Sequence, residues 1–149
     1  MKYVIADGQY LETVMELRLE MLRVVNGLDE NAVFDKDFVN ISEQYFKSGH
    51  QTTVLALDNE AVGCASICYI SLMPTFDHPN GKRAHIMNVY TRESHRRQGI
   101  AQKMVQMLID DARAHGATEI SLDATEAGRP LYEKCGFVKT QEGMVLNLR

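Results

Sequence analysis

The stretch TRESHRRQGIAQKMV, Thr91 to Val105, decides how this chain is read. It gathers Arg92, Arg96 and Arg97 with a lone Gly99 just ahead of an amphipathic run. Before it, RAHIMNVYT (Arg83 to Thr91) reads as a long strand. After it, Ala101, Met104, Val105, Leu108 and Ala112 recur at helical spacing until Gly116 ends the run. A loop placed between a strand and a helix in this way is suited to holding phosphate. First-turn amides lack intrahelical partners, and the helix dipole adds partial positive charge at the same point. Gly99 lets the backbone approach a ligand, the small Ala101 leaves room, and Arg96, Arg97 and Lys103 add attraction. The bland alternative is a basic, solvated loop on an acidic protein. The stretch lacks the GxGxxG of dinucleotide folds and the GxxxxGKS/T of P-loops, so those two nucleotide classes drop out.

Outward from this loop, the period of the apolar residues organises the rest. Lys2 to Ile5 reads as a short strand. Leu11, Val14, Leu17, Met21 and Val25 mark a helix that stops near Asn26-Gly27, and a weaker helical pattern runs from Asp35 to Lys47. TTVLALDNEAVGCASICYISL alternates around Asp58-Asn59-Glu60 and predicts a hairpin. Beyond the central helix, Glu119 to Asp123 reads as a strand and Ala127 to Cys135 as a short helix. Phe137 to Thr140 and Met144 to Leu148 read as closing strands. The expected fold is α/β of the α+β kind, a mixed and mostly antiparallel sheet of about seven strands flanked by about four helices.

With 149 residues, no repeat and no linker, the chain reads as one domain spanning 1–149. A formal net charge of -4 argues against nucleic acid as a partner and is compatible with a cationic small molecule. Three cysteines are an odd number, which fits a reducing compartment better than a disulfide framework; all three read as small core residues. Cys64 and Cys68 are four apart, but no second Cys/His pair completes a zinc-type pattern, so no metal is expected. The apolar stretch before Asp7 is too short for a signal-peptide core, and no run is long enough to span a membrane. The expectation is a cytoplasmic protein that engages neither membrane nor nucleic acid.

NVYTRESHRRQGIA, followed by ISLDATEAGRPLYEKCGF, resembles the GNAT superfamily of N-acetyltransferases, whose members bind acetyl-CoA. Arg96, Gly99 and Ala101 match its motif A, Q/R-x-x-G-x-G/A. Tyr132 and Gly136-Phe137 match the YxxxGF ending of its motif B. The resemblance extends to the order of elements from Lys2 to the C-terminus. It implies a β-bulge in the strand before motif A, which frees backbone groups of Val89 and Thr91 for the pantetheine arm. The Val89 amide would also polarise the acetyl carbonyl. The amides of Arg97, Gln98, Gly99, Ile100, Ala101 and Gln102 would hold the pyrophosphate. Arg92 and Arg129 are either partners of other CoA phosphates or surface residues.

The implied reaction is attack of a neutral amine on the thioester. An alkylammonium has a pKa of roughly 10, so a base must take its proton directly or through water. The family's glutamate base lies eleven positions before the first motif A residue, and here that place is His85. Histidine is chemically suited to the role. The alternatives are Glu93, a residue of the first helices, ordered water, or a His85 that is merely a strand residue. On a regular strand His85, Met87 and Val89 share one face, and Asn88 points to the other unless a bulge intervenes. Tyr132 matches the family's general acid, which protonates the leaving thiolate; otherwise it is a packing residue beside Leu131 and Phe137. Many relatives carry an asparagine after the fifth strand where this chain has DATEAGRP; Thr125 either supplies a polar group there or caps the helix. Asp29 and Glu30, in the loop between the first helices, either attract an ammonium group or are simply solvated.

These readings converge on an acetyl-CoA-dependent N-acetyltransferase that acts by direct transfer on a primary amine of a small molecule or peptide. A protein N-terminal or lysine acetyltransferase and a non-catalytic acyl-CoA sensor are the alternatives. The resemblance also raises a homodimer formed through the C-terminal strands.

Overall fold

The computed structural model describes residues 1–149 and contains one five-stranded sheet in the order β1-β2-β3-β4-β5. β1 (Lys2–Ile5), β2 (Gln51–Asp58), β3 (Glu60–Ser71) and β4 (Lys82–Thr91) pair antiparallel in sequence order. β5 (Ile120–Ser121) lies parallel to β4 and therefore requires a crossover, which α3 (Ile100–Ala114) supplies. α1 (Leu11–Val25) and α2 (Lys36–Lys47) precede the hairpin, and α4 (Arg129–Lys134) follows β5.

Each helix boundary has a local cause. The Asp35 carboxylate accepts hydrogen bonds from the amides of Asp37 (3.1 Å) and Phe38 (3.2 Å), which starts α2. α3 ends where Gly116, at φ +77°, turns the chain so that the Ala117 amide reaches the Ala112 carbonyl at 3.0 Å. Pro130 falls within the first two positions of α4, where its missing N–H breaks no helical bond.

The sheet separates two apolar layers. On one side, Ile100, Met104, Val105, Leu108, Ile109 and Ala112 of α3 pack on Val54, Ala65, Ile67 and Ile86. On the other, Val14, Leu17 and Met21 of α1 meet Leu55, Cys64 and Tyr90, with Phe46 of α2 at the margin. Leu17, Met104 and Leu108 are almost wholly buried, and each such side chain stabilises the fold by roughly 1.5–3 kcal/mol through area removed from water. α3 thus holds its own N-terminus firmly against the end of β4.

The strand count differs from expectation. Five strands form rather than about seven: the segments Phe137 to Thr140 and Met144 to Leu148 belong to no strand or helix and join no ladder. The expected strand from Glu119 to Asp123 pairs only over Ile120–Ser121. The two facts have one cause. A strand needs a neighbour's backbone along its length, and a two-residue β5 offers almost none. The tail consequently leaves Val138, Met144, Val145, Leu146 and Leu148 between 82% and 97% exposed. No helix is long and apolar enough to cross a membrane.

Candidate functional site

The loop that opened the reading becomes a cluster of unpaired amides. From Arg97 to Gln102 no amide donates a backbone hydrogen bond; Lys103 N, reaching Gly99 O at 3.1 Å, is the first that does. No side chain caps this end of α3. Arg97 and Gly99 both lie in the left-handed region, at φ +62° and +77°, and this turns the loop around a single point. A Cβ added at Gly99 would meet nothing within 4 Å. Space around Gly99 is therefore open, and its backbone angle, rather than crowding, is what calls for glycine. Ile100 is buried under the loop and anchors it to the α3 core. Arg96 folds back, its Nε donating to the Thr91 carbonyl at 3.0 Å, so it braces the loop against the strand end. Thr91 also carries one of only two buried side-chain polar atoms without a partner, its hydroxyl.

Beside this loop the sheet opens. β4 and β5 pair at Ala84–Ile120 and His85–Ser121, and from Ile86 onward β4 has no strand on that side. At the same level β4 bulges: Cys64 pairs with Tyr90 but Ser66 pairs with Met87, so Asn88 and Val89 together face Ala65. Asn88 takes the strain at φ +61°, a conformation asparagine tolerates better than most residues. The extra residue changes which side chains share a face. Ile86 and Val89 both pack toward α3, while Asn88 bonds on the α1 side. His85 and Val89 therefore stand on opposite faces, which corrects the expectation drawn from a regular alternation.

His85 lies on the α1 face, in register with Cys68 of β3 and Ser121 of β5. Its Nδ1 is 2.8 Å from the Ser121 hydroxyl, and its Nε2 is 3.9 Å from an Asp123 carboxylate oxygen. Ser121 Oγ is also 3.4 Å from the Ala84 carbonyl. Tyr132 lies on the opposite side, in α4, half-buried against the α3 layer with its ring edge-on to Phe137 at 6.0 Å. Burial, and then the neighbouring Cys135, raise the Tyr132 phenol above its ordinary value, and the hydroxyl has no protein partner. A groove of about 1080 Å³ runs from Tyr132 and Phe137 along Ser121 and Leu122 to the free edge of β5. Of the cysteines, Cys64 is buried and its thiol is pushed up to about 12 by desolvation; burial also raises Cys135.

Several residues have tasks that the sequence did not disclose. Arg92 is held at the end of β4 by Glu20, through contacts of 3.0 Å from both Nε and Nη2, with Glu60 at 3.4 Å and Glu16 at 3.7 Å. The bond to Glu20 raises the Arg92 pKa; burial alone would raise Glu20, but Arg92 and the Tyr90 hydroxyl outweigh it and hold the carboxyl below its usual range. This cluster ties α1 to β4, so Arg92 is committed to glutamates. Arg129 pairs with Glu126 at 2.7 Å. The Thr125 hydroxyl accepts from the Gly128 amide at 3.1 Å just ahead of α4, and Asp29 accepts from the Asn31 amide at 2.7 Å within a turn. Arg18 of α1, absent from the sequence-based candidates, reaches Asn88 at the bulge. The bulge itself was implied by the family resemblance, and the asparagine inside the strand pattern marks its position.

Comparison with known proteins bears on this geometry. The Acetyltransferase (GNAT) family matches residues 11–137. The glucosamine 6-phosphate N-acetyltransferase of Trypanosoma brucei brucei is 28% identical over 114 residues, covering 75% of this chain and 76% of that protein. The N-acetyltransferase 8F1 of Rattus norvegicus is 28% identical over 108 residues, which span 70% of this chain but only 47% of that one. A crystal structure of a predicted acetyltransferase with acetyl-CoA from Clostridium acetobutylicum superposes with a TM-score of 0.85 at 28% identity, covering 99% of this chain and 96% of that one. The fold, the loop and these matches agree: the chain belongs to the GNAT acetyltransferase family, and is an acetyltransferase that uses acetyl-CoA as its acyl donor.

Proposed function

We propose that this enzyme transfers the acetyl group directly to a primary amine of a small molecule or peptide, without an acyl-enzyme. The observation that carries this reading is the set of unpaired amides from Arg97 to Gln102 beside the opening between β4 and β5. Those amides suit a pyrophosphate. Val89, at the bulge, is assigned the amide that polarises the acetyl carbonyl.

His85 is assigned the base and Tyr132 the acid. They lie on opposite faces of the sheet, with the opening between them. An amine can thus arrive from the α1 face while the thiol departs toward the α3 face. If Ser121 donates to the Ala84 carbonyl, it accepts from His85 Nδ1–H, and Nε2 keeps the lone pair needed to take a proton. Tyr132 has its pKa raised, so it remains a phenol and keeps its proton until one is required. Tyr132→Phe retains the packing on Phe137 and loses only the donor. It should lower kcat by roughly tenfold or more with acetyl-CoA affinity intact; full turnover would return Tyr132 to a packing role. Cys64 is too buried, and its thiol too weak an acid, to serve as an acyl carrier.

The test is CoA thiol release from acetyl-CoA across a panel of amines and peptides. Glucosamine 6-phosphate belongs in the panel because a relative is named for it. Release with small amines supports the proposal, release with peptides or proteins alone supports a protein-modifying enzyme, and binding without release supports a sensor.

The exposed tail also supports a homodimer. Met144, Val145, Leu146 and Leu148 form an exposed apolar stretch at the end of the chain that a second copy can cover. Light scattering should give twice the chain mass, and deletion of 144–149 should give the monomer; a monomeric full chain rejects the assembly.

A further inference from the structure

Arg18 is a cation without a counter-charge. It sits on the sheet-facing part of α1, half-buried, and its one hydrogen bond runs from Nη1 to the neutral Asn88 amide oxygen at 3.3 Å. No carboxylate lies within 4 Å of it, although the chain holds 20 acidic residues. Its helical neighbours at three and four residues, Val14, Met15, Met21 and Leu22, are all apolar. Other arginines whose charge is held in place are answered. Arg92 has three glutamates, while Arg83, Arg113 and Arg129 each have one carboxylate. Arg23 has the Ala32 carbonyl and the Phe34 ring, and Arg96 has the Thr91 carbonyl. Partial burial of a guanidinium is unfavourable unless something pairs with it. The remaining nitrogens of Arg18 have no protein partner and are not sealed from solvent, so they are accessible to a ligand.

The position gives this vacant charge a meaning. Asn88 is the bulge residue, next to Val89, and its other amide group is fixed by donation to Ser66 Oγ at 3.1 Å. Arg18 therefore stands over the point where the strands part, on the α1 face that also carries His85. Asn88 and His85 are three residues apart on β4, a span on the order of 10 Å along a strand. A guanidinium presents paired donors that fit a carboxylate or a phosphate.

We propose that the acceptor is an amine that also carries an anionic group, a carboxylate or a phosphate, and that Arg18 binds that group while the amine faces His85. This inference rests on the acetyl-transfer reading above and specifies its acceptor.

The experiment compares matched acceptors with and without charge: phosphoethanolamine with ethanolamine, 4-aminobutyrate with butylamine, and an aminosugar phosphate with its free aminosugar. The wild type should favour the charged member of at least one pair by tenfold or more in kcat/KM, and the pair that responds distinguishes phosphate from carboxylate. Arg18→Met, which keeps the apolar stem, should bring that preference within threefold, chiefly by raising KM for the charged member. Arg18→Lys should retain part of it. Direct binding supplies a second readout: with CoA saturating, inorganic phosphate or glutarate should raise the Tm of the wild type and not of Arg18→Met. Equal loss for charged and neutral acceptors, absence of any preference, or a Tm shift independent of Arg18 overturns the proposal. Should the wild type acetylate no amine at all, the transfer reading fails, and the binding measurement alone still decides whether Arg18 is an anion site.

Discussion

His85→Ala should lower kcat/KM by roughly 100- to 1000-fold, within the range a positioned general base contributes, and change acetyl-CoA affinity by no more than about twofold. The separation follows from placement. His85 is on the α1 face of β4, held by Ser121 of β5, whereas the unpaired amides are at the far end of β4 at the start of α3. Removing the imidazole therefore leaves the donor site untouched. The pH–rate profile is the sharper measurement. The wild-type profile should carry a limb that the variant lacks. An identical profile in His85→Ala would assign the base to water or another residue. Ser121→Ala should produce a smaller loss with the limb retained, because it disturbs the ring's orientation and leaves the proton acceptor in place.

Gly99→Val is expected to weaken acetyl-CoA binding by tenfold or more, about 1.4 kcal/mol, the larger effect of any single change in the loop. Two costs act together. A β-branched residue at φ +77° is strained by about 1–2 kcal/mol, and its side chain occupies the open space beside the amides. Relaxation of that strain would rotate the amides of Ile100 and Ala101 away from their common point. Arg97→Ala should cost less. Arg97 is already left-handed, its side chain is exposed, and its charge acts through solvent that screens it. Calorimetry with acetyl-CoA or CoA measures both. If Arg97→Ala proved the more damaging, the loop would be an electrostatic patch and its backbone geometry incidental.

The legibility of this chain divides along physical lines. The α3 helix was readable because its apolar residues repeat every three to four positions and Gly116 stops it, both local properties of the chain. The hairpin of β2 and β3 was readable for the same kind of reason, alternation flanking Asp58-Asn59-Glu60. The tail misled because Met144, Val145, Leu146 and Leu148 have the composition of a strand, yet a strand exists only when another backbone runs beside it. His85 and Tyr132 could be located from motif spacing, but not assigned to opposite faces. One added residue at Asn88 reverses the alternation, and a bulge leaves only a faint mark in sequence. Arg92 stayed open between a phosphate partner and a surface residue for want of any sign that Glu16, Glu20 and Glu60 converge on it.

By itself, then, the sequence determined the α/β class, the strand–loop–helix with glycine at its turn, and the acetyltransferase family, because hydrophobic period and backbone permissiveness are written residue by residue. Only the tertiary structure decided which charges are already spoken for and which are vacant. Arg92 and Arg18 are the same side chain, and the sequence places no carboxylate at helical spacing to Arg18 and none beside Arg92 but Glu93. The fold brings three glutamates, 32 to 76 positions away, to Arg92 and leaves Arg18 above the bulge with a single neutral contact. Pairing of charges is a property of distance in space, and distance in space is what folding creates.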